Sequence, residues 1–267
     1  MKSIKELMDL SGRTALVTGG AGYIGTAFCE ALAEAGANIA VLDISEERTH
    51  EAAQAIEKRF NVKTMPLAID LSDEAAVVAS PERAAETLGG LDILVNCAAF
   101  VGTSNLSGWV TSFEQQSIET WRAALETNLT APFALIQAAT PFLRKSGHGS
   151  IVNIGSTYGV VGPDMSLYEG TAMGNPAAYA ASKGGLTQLT RWLSTVLAPD
   201  IRVNSISPGG IARGQDEKFV ERYEVRTPLK RMGKEEDMKG ALLYLASDLS
   251  AYVTGQNLMV DGGWTAW

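Results

Sequence analysis

Short apolar runs alternate along the chain with longer stretches in which apolar residues recur every three or four positions. TALVTG (14–19), NIAVLD (38–43), VKTMPLAID (62–70), LDILVN (91–96), SIVNIG (150–155), IRVNSIS (201–207) and QNLMVDGG (256–263) read as strands. Residues 24–35, 45–60, 73–88, 118–144, 176–197, 216–226 and 235–246 carry helical periodicity. Ser45 stands at an N-cap position, and Glu46 and Glu47 follow it in the first turn, where negative charge suits the helix dipole. Pro81 is expected to break the helix over 73–88. Continuously apolar strands, each followed by a helix, predict a doubly wound parallel sheet of about seven strands with helices on both faces. No repeat, low-complexity segment or linker divides the chain, so residues 1–267 are expected to form one domain. Two loop-rich stretches, 99–117 and 157–176, are long enough to suggest function in a compact α/β domain.

Charge narrows the partners. The net charge of −8 and pI of about 4.9 argue against nucleic acid and against an anionic membrane surface, since both require dense positive charge. The opening MKSIKELMDL lacks the apolar core and cleavage site of a secretory signal, and no stretch nears the roughly 18 apolar residues of a membrane span. A cytoplasmic location is therefore expected, with Cys29 and Cys97 as reduced packing residues. His50 and His148 belong to no cluster with metal-ligand spacing, so no catalytic metal is expected.

The candidate chemistry begins at VTGGAGYIG (17–25), a strand end followed by glycines at 19, 20, 22 and 25 and then a helix. At the carboxyl edge of a parallel sheet, such a turn lets the backbone approach a pyrophosphate and adds the positive end of the helix dipole. Asp43 ends the second strand, where a carboxylate accepts hydrogen bonds from the adenosine ribose hydroxyls and repels a 2′-phosphate. Capping of the next helix is the competing role for Asp43. Asp70 and Asn96 end the next two strands on the same edge, where turn formation is their alternative. A second cluster is Tyr179-Ala-Ala-Ser-Lys183, whose outer residues share a helix face. A free tyrosine titrates near 10, and a nearby fixed cation lowers that value toward one useful for proton transfer. Ser156, at the end of the fifth strand, and Asn128, in the 118–144 helix, can reach the same edge.

With these motifs together, the chain resembles the short-chain dehydrogenase/reductase family over essentially its whole length. The carriers are TGGAGYIG (18–25), Asp70, NCAA (96–99), Asn128 in TNLT, Ser156 in NIGS, YAASK (179–183), PGG (208–210) and VDGGW (260–264). The resemblance implies a Rossmann-type fold, a nicotinamide dinucleotide cofactor and a homotetramer, and the Asp43 carboxylate favours NAD over NADP as that cofactor. It gives Tyr179 proton exchange with the substrate oxygen, Ser156 the positioning of that oxygen, and Lys183 the nicotinamide ribose. Asn128 would hold a water of a proton relay. Gly19, Gly22, Tyr23, Ile24, Gly25, Asp43, Ile44, Asp70, Leu71, Asn96, Ala98, Tyr179, Lys183, Pro208, Gly209 and Ile211 would contact the dinucleotide.

Three departures from the family pattern stand out. The glycines fall at 19, 22 and 25, as in the extended branch of sugar-nucleotide epimerases and dehydratases, and Tyr23 occupies the usual glycine position of the short branch. PGGIAR offers Ala212 and Arg213 where a hydroxyl residue usually follows the PG turn. Ser156 and Tyr179 are 23 residues apart, against about a dozen usually, because of the insertion at 159–175. Segments 157–176 and 213–233 are expected to cover the substrate, and Asp164, Tyr168, Glu169 and Arg213 are candidate substrate contacts. Carboxylates and hydroxyls there suit a sugar, polyol or sugar nucleotide, a small-molecule substrate oxidised or reduced at a secondary alcohol or ketone. The alternatives are a 3-oxoacyl thioester reductase, a sugar-nucleotide epimerase or dehydratase, and a non-catalytic dinucleotide-binding scaffold. Lys218, Arg222 and Arg226 lie on one helix face, to meet a phosphate or to form a solvated stripe beside Glu217, Glu221 and Glu224.

Overall fold

The computed structural model describes residues 1–101 and 106–267, so residues 102–105 of the expected loop 99–117 lie outside the described residues. Among the described residues, seven strands pair in parallel: β1 (Thr14–Thr18), β2 (Asn38–Asp43), β3 (Thr64–Ala68), β4 (Ile93–Asn96), β5 (Gly149–Ile154), β6 (Ile201–Pro208) and β7 (Asn257–Val260). Their order is β3-β2-β1-β4-β5-β6-β7, so the chain winds outward in both directions from β1. Thr18 and Asn96 are register partners, and the crevice between the β1 and β4 exits is the switch point where such sheets bind ligands.

The helices are α1 (Ile4–Met8), α2 (Tyr23–Glu34), α3 (Glu46–Phe60), α4 (Glu74–Leu88), α5 (Ile118–Leu125), α6 (Ala131–Ser146), α7 (Ala177–Val196), α8 (Glu217–Arg226) and α9 (Glu236–Ala246). Strand side chains alternate between the two faces. Val17, Val41 and Val95 pack with Phe28 and Leu32 of α2 and Leu242 of α9. Leu16, Leu42 and Leu94 pack on the other face with Val77 of α4, Ile136 of α6 and Leu193 of α7. Burial on both faces is why the strands read as unbroken apolar runs.

Two proline effects differ from the sequence expectation. Pro81 does not break α4, which runs through it from Glu74 to Leu88. Pro81 has no N–H for the Val77 carbonyl, and the Ser80 hydroxyl donates to that carbonyl instead at 2.8 Å. The expected helix over 118–144 is interrupted by a π turn at Glu126–Thr130, between α5 and α6. Pro132 has no N–H for the carbonyl of Asn128 four residues back, and the wider turn accommodates its ring. This π turn carries Asn128.

Candidate active site

The glycine turn is shaped by contact as well as by dihedral angle. Gly19 has φ of +64°, and a Cβ on Gly25 would lie 1.9 Å from the Gly19 carbonyl oxygen. Only glycine lets the first turn of α2 sit this close to the end of β1. Gly22 is the N-cap and has no side-chain cap, so the first-turn N–H groups of α2 face the turn. The Asp43 carboxylate supports this loop, accepting from the Ala21 N–H at 3.2 Å and the Ile44 N–H at 2.8 Å, with Arg48 beside it at 3.4 Å. Across the crevice, Thr18 Oγ1 accepts from the N–H groups of Cys97 and Ala98 and fixes the exit of β4.

A cleft of about 990 Å³ runs from this turn to Tyr179. Its cofactor half brings together Gly19, Gly22, Tyr23, Ile24 and Gly25 from the turn and Asp43 and Ile44 from β2. Asp70, Leu71, Ala98, Pro208, Gly209 and Ile211 complete that half. Its volume, glycine turn and acidic rim fit a dinucleotide. Asn96 does not reach the cleft. Its side chain is buried and donates to Asn153, which donates in turn to Thr190 of α7, a polar ladder tying β4 to β5 and α7. Asp70 is exposed and closes its own turn by accepting from Ser72.

Ser156, Tyr179 and Lys183 line the cleft together, and the Ser156 hydroxyl beside the phenol favours its ionised form. The Ser156 hydroxyl also accepts from the Tyr158 N–H at 3.1 Å, which fixes its orientation. Lys183 is buried, its Nζ donates to the Ile154 carbonyl at 2.8 Å, and it lies 5.9 Å from the Tyr179 ring centre. Burial lowers the Lys183 pKa to about 8. Burial also raises Tyr179 and outweighs the lowering effects of Ser156 and of the Arg213 charge. In the protein alone, the pair therefore does not reach the depressed phenol value expected from its spacing. Asn128 lies behind the cleft. Its Oδ1 accepts from the Phe100 N–H at 2.6 Å, and its Nδ2 donates to Ser182 Oγ at 3.0 Å, so it locks the β4 exit and α7 together.

The insertion forms one wall with α8. Tyr168, packed against Phe219, lines the cleft, and its hydroxyl lies 2.8 Å from that of Tyr158. Tyr223 accepts from the Gly210 N–H at 2.6 Å and stacks on Trp264, with ring centres 4.4 Å apart. Asp164 and Glu169 are not among the lining residues. Asp164 caps the short 3-10 turn Met165–Tyr168 and pairs with Arg226, while Glu169 is exposed. Arg222 donates to the carbonyls of Ser166, Leu167 and Glu169. The basic face of α8 is thus neither a phosphate site nor a solvated stripe at Arg222 and Arg226; it staples the insertion in place. Tyr158, Asn175, Phe219 and Tyr223 line the cleft without having been singled out from the sequence. Asn175 carries a buried Oδ1 without a hydrogen-bond partner among the described residues. Only Tyr158 had a sequence signal, its position two residues after Ser156.

No described group of His, Cys, Asp and Glu side chains is arranged to hold a metal ion. No described helix is long and apolar enough to cross a membrane.

Comparison with known proteins follows the same lines. A family profile described as Enoyl-(Acyl carrier protein) reductase matches residues 19–265. Sorbose reductase sou1 of Schizosaccharomyces pombe is 32% identical over 264 residues, covering 97% of this chain and 98% of that protein. The 3-oxoacyl-[acyl-carrier-protein] reductase FabG of Thermotoga maritima is 33% identical over 263 residues, covering 96% and 99%. A short-chain type dehydrogenase/reductase from Mycobacterium marinum superimposes with a TM-score of 0.87 at 32% identity, covering all of both chains. An NADPH-dependent 3-quinuclidinone reductase from Rhodotorula rubra (TM-score 0.89, 27% identity, 100% and 96% covered) and an NAD+-bound xylitol dehydrogenase (0.84, 28%, 95% and 99%) are also similar. Likeness of fold therefore carries no preference between the two cofactors.

Proposed function

The chain belongs to the short-chain dehydrogenase/reductase family, and on that premise we propose that it is an NAD-dependent oxidoreductase of a small polar hydroxylated ketone or secondary alcohol, such as a sugar, polyol or sugar nucleotide. The observation that carries the substrate side is the set of polar groups beside Tyr179: the paired hydroxyls of Tyr158 and Tyr168 and the amide of Asn175. These groups suit a substrate that presents further hydroxyls next to the reacting carbon. Similarity to sorbose reductase leans the same way. The acidic residues Asp164 and Glu169 are not offered as substrate contacts.

A bound nicotinamide supplies or takes the hydride. Tyr179 transfers the proton to or from the substrate oxygen, and Ser156 donates a hydrogen bond to the same oxygen. Lys183, held through Ile154, places a positive charge behind Tyr179 when it is protonated. Asn128 keeps these elements in register by bonding the backbone of Phe100 and the hydroxyl of Ser182. The NAD preference rests on Asp43, whose buried carboxylate marks the rim of the adenosine end.

The same family membership supports a homotetramer. An open hollow of about 500 Å³ between Phe133 of α6 and Gly185, Leu189 and Trp192 of α7 offers an apolar face for subunit packing. Light scattering coupled to size exclusion measures the oligomer directly.

A second reading, 3-oxoacyl thioester reduction, is favoured by the similarity to FabG. One assay separates the two: NAD+ reduction with a panel of polyols, sugars and sugar nucleotides, beside NADH oxidation with an acetoacetyl thioester. Turnover of the polyhydroxylated panel above the thioester supports the first reading. Turnover of the thioester alone replaces it with the second.

A further inference from the structure

Tyr23 and Arg213, 190 residues apart, are two of the places where this sequence departs from the family pattern, and the fold brings them into contact. The Arg213 guanidinium lies 4.6 Å from the centre of the Tyr23 ring. Tyr23 is the first residue of α2 and is 70% exposed, so its ring stands at the cleft mouth instead of in the core. Arg213 comes from the opposite side, beyond the end of β6, and lines the same cleft. Together they bridge the crevice above the glycine turn.

The backbone that carries Arg213 is fixed. Gln215 accepts from the Arg213 N–H at 2.6 Å and donates to the Ile211 carbonyl at 2.6 Å, which closes the loop on itself. The side chain has one ion pair, Nε to Glu235 at 3.4 Å. Its terminal nitrogens have no hydrogen-bond partner among the described residues. A guanidinium stacked on an aromatic face keeps its edge N–H groups available, and that edge matches phosphate oxygens two at a time. The position also explains why its charge is felt at both Tyr179 and Cys97, deep in the cleft.

We propose that Arg213 and Tyr23 form a clasp over the cofactor cleft, in which Arg213 holds the dinucleotide pyrophosphate against the glycine turn and Tyr23 holds the guanidinium in place. Arg213 is thereby a cofactor residue and not a substrate contact. Each departure accounts for the other: a glycine at position 23 would offer no ring to stack on, and a threonine at 213 could not reach across. The clasp rests on dinucleotide binding in this cleft but on no particular substrate, and the pyrophosphate is common to both nicotinamide dinucleotides.

The test is equilibrium binding, by calorimetry, of NADH, NADPH, ADP-ribose and adenosine to the wild type and to Arg213→Ala, Arg213→Lys, Tyr23→Phe, Tyr23→Ala and the Arg213→Ala/Tyr23→Ala double variant. Thermal melting confirms that each variant is folded. Arg213→Ala is expected to weaken NADH, NADPH and ADP-ribose by about tenfold or more, the loss of one charge-assisted hydrogen-bonding partner, and to leave adenosine within twofold. Arg213→Lys recovers part of the loss, and Tyr23→Phe behaves as wild type. Tyr23→Ala weakens the phosphate-bearing ligands but adds little once Arg213 is gone. The clasp is overturned if Arg213→Ala binds ADP-ribose as tightly as wild type. It is also overturned if adenosine weakens in parallel, or if only the substrate KM rises. A wrong choice between NAD and NADP as the working cofactor leaves the ADP-ribose result unchanged.

Discussion

Asn128 Nδ2 donates to Ser182 Oγ at 3.0 Å, inside the four-residue interval between Tyr179 and Lys183. Ser182 passes the contact on by donating to the Tyr179 carbonyl at 2.8 Å. The amide of Asn128 also accepts from the Phe100 N–H on the far side. Replacement by alanine strands that N–H and frees the Ser182 hydroxyl. Asn128→Ala is expected to lose about 1–3 kcal/mol of stability, a fall in Tm of several degrees for a chain this size, together with at least a tenfold drop in kcat. Calorimetry and steady-state kinetics check it. An unchanged Tm would show that the amide does not tie these elements together.

The alternating apolar and helical patterns sufficed for the sheet because each strand is buried on both faces, which leaves an unmistakable apolar run. What they could not show was the split at the π turn: Pro132 sits in a stretch with sustained helical periodicity, and the local cost is met by one wider turn. Pro81 misled in the other direction, since the hydroxyl of the preceding Ser80 repairs the ladder. At the site, Ser156, Tyr179 and Lys183 were legible because their spacing and strand-end positions carry the chemistry. Asn96 was legible only as a strand-end residue; that its amide turns away from the cleft to Asn153, 57 residues on, follows from the pairing of β4 with β5. Nothing local in the sequence reveals that Arg226 lies opposite Asp164 and holds it away from the cleft lining. Long-range pairing of that kind, like the meeting of Tyr23 and Arg213, exists only in the folded chain.

Tyr179→Phe removes the phenol hydroxyl that lines the cleft beside Ser156, while keeping the ring. If Tyr179 transfers the proton, kcat falls about 10²–10⁴-fold and the NADH dissociation constant stays within a few-fold of wild type. A drop of less than tenfold would remove Tyr179 from the proton-transfer role.

Lys183 gives a signed pH dependence. Its pKa is about 8 in the folded protein, against 10.5 for an unburied lysine, with burial as the main cause. Between these values the unfolded chain binds more protons than the native one, so stability from this residue rises with pH. Below about pH 8 lysine is charged in both states and the full burial penalty applies. The stability of wild type minus that of Lys183→Met should therefore grow by up to about 3 kcal/mol as pH climbs from 8 to 10.5. The subtraction cancels the opposite slope from groups with no Lys183 interaction, such as Cys29, whose thiol pKa burial raises. Denaturant titrations at several pH values supply the two curves. A difference that is flat or falls with pH would mean that the ammonium is not desolvated.

Arg222 donates to three carbonyls of the insertion, at 3.2 Å to Ser166, 3.2 Å to Leu167 and 2.6 Å to Glu169. It touches neither the glycine turn nor Tyr179. Arg222→Ala should loosen the wall that carries Tyr168, raising the substrate KM about tenfold while the NADH dissociation constant remains within twofold. Limited proteolysis should then cut within 157–176 faster than in wild type. If KM is unchanged, the insertion does not bind substrate.

The proposed preference for NAD rests on Asp43, whose carboxylate is 8% exposed and already accepts from the Ala21 and Ile44 N–H groups. Two N–H donors leave lone pairs for a ribose diol, and the same negative charge opposes a 2′-phosphate. Arg48, 3.4 Å away and largely exposed, is held by this carboxylate and so is neutralised as a phosphate ligand. NADH is therefore expected to bind at least tenfold more tightly than NADPH. Asp43→Ala removes the ribose acceptor, frees the Arg48 charge and loosens the glycine turn at Ala21. Both cofactors should weaken, NADH by more, so that the ratio of the NADPH to the NADH dissociation constant falls at least tenfold. Adding Arg48→Ala should then weaken NADPH further and leave NADH nearly unaffected. Equal affinities for the two cofactors in the wild type would refute the role of Asp43, whatever the variants do.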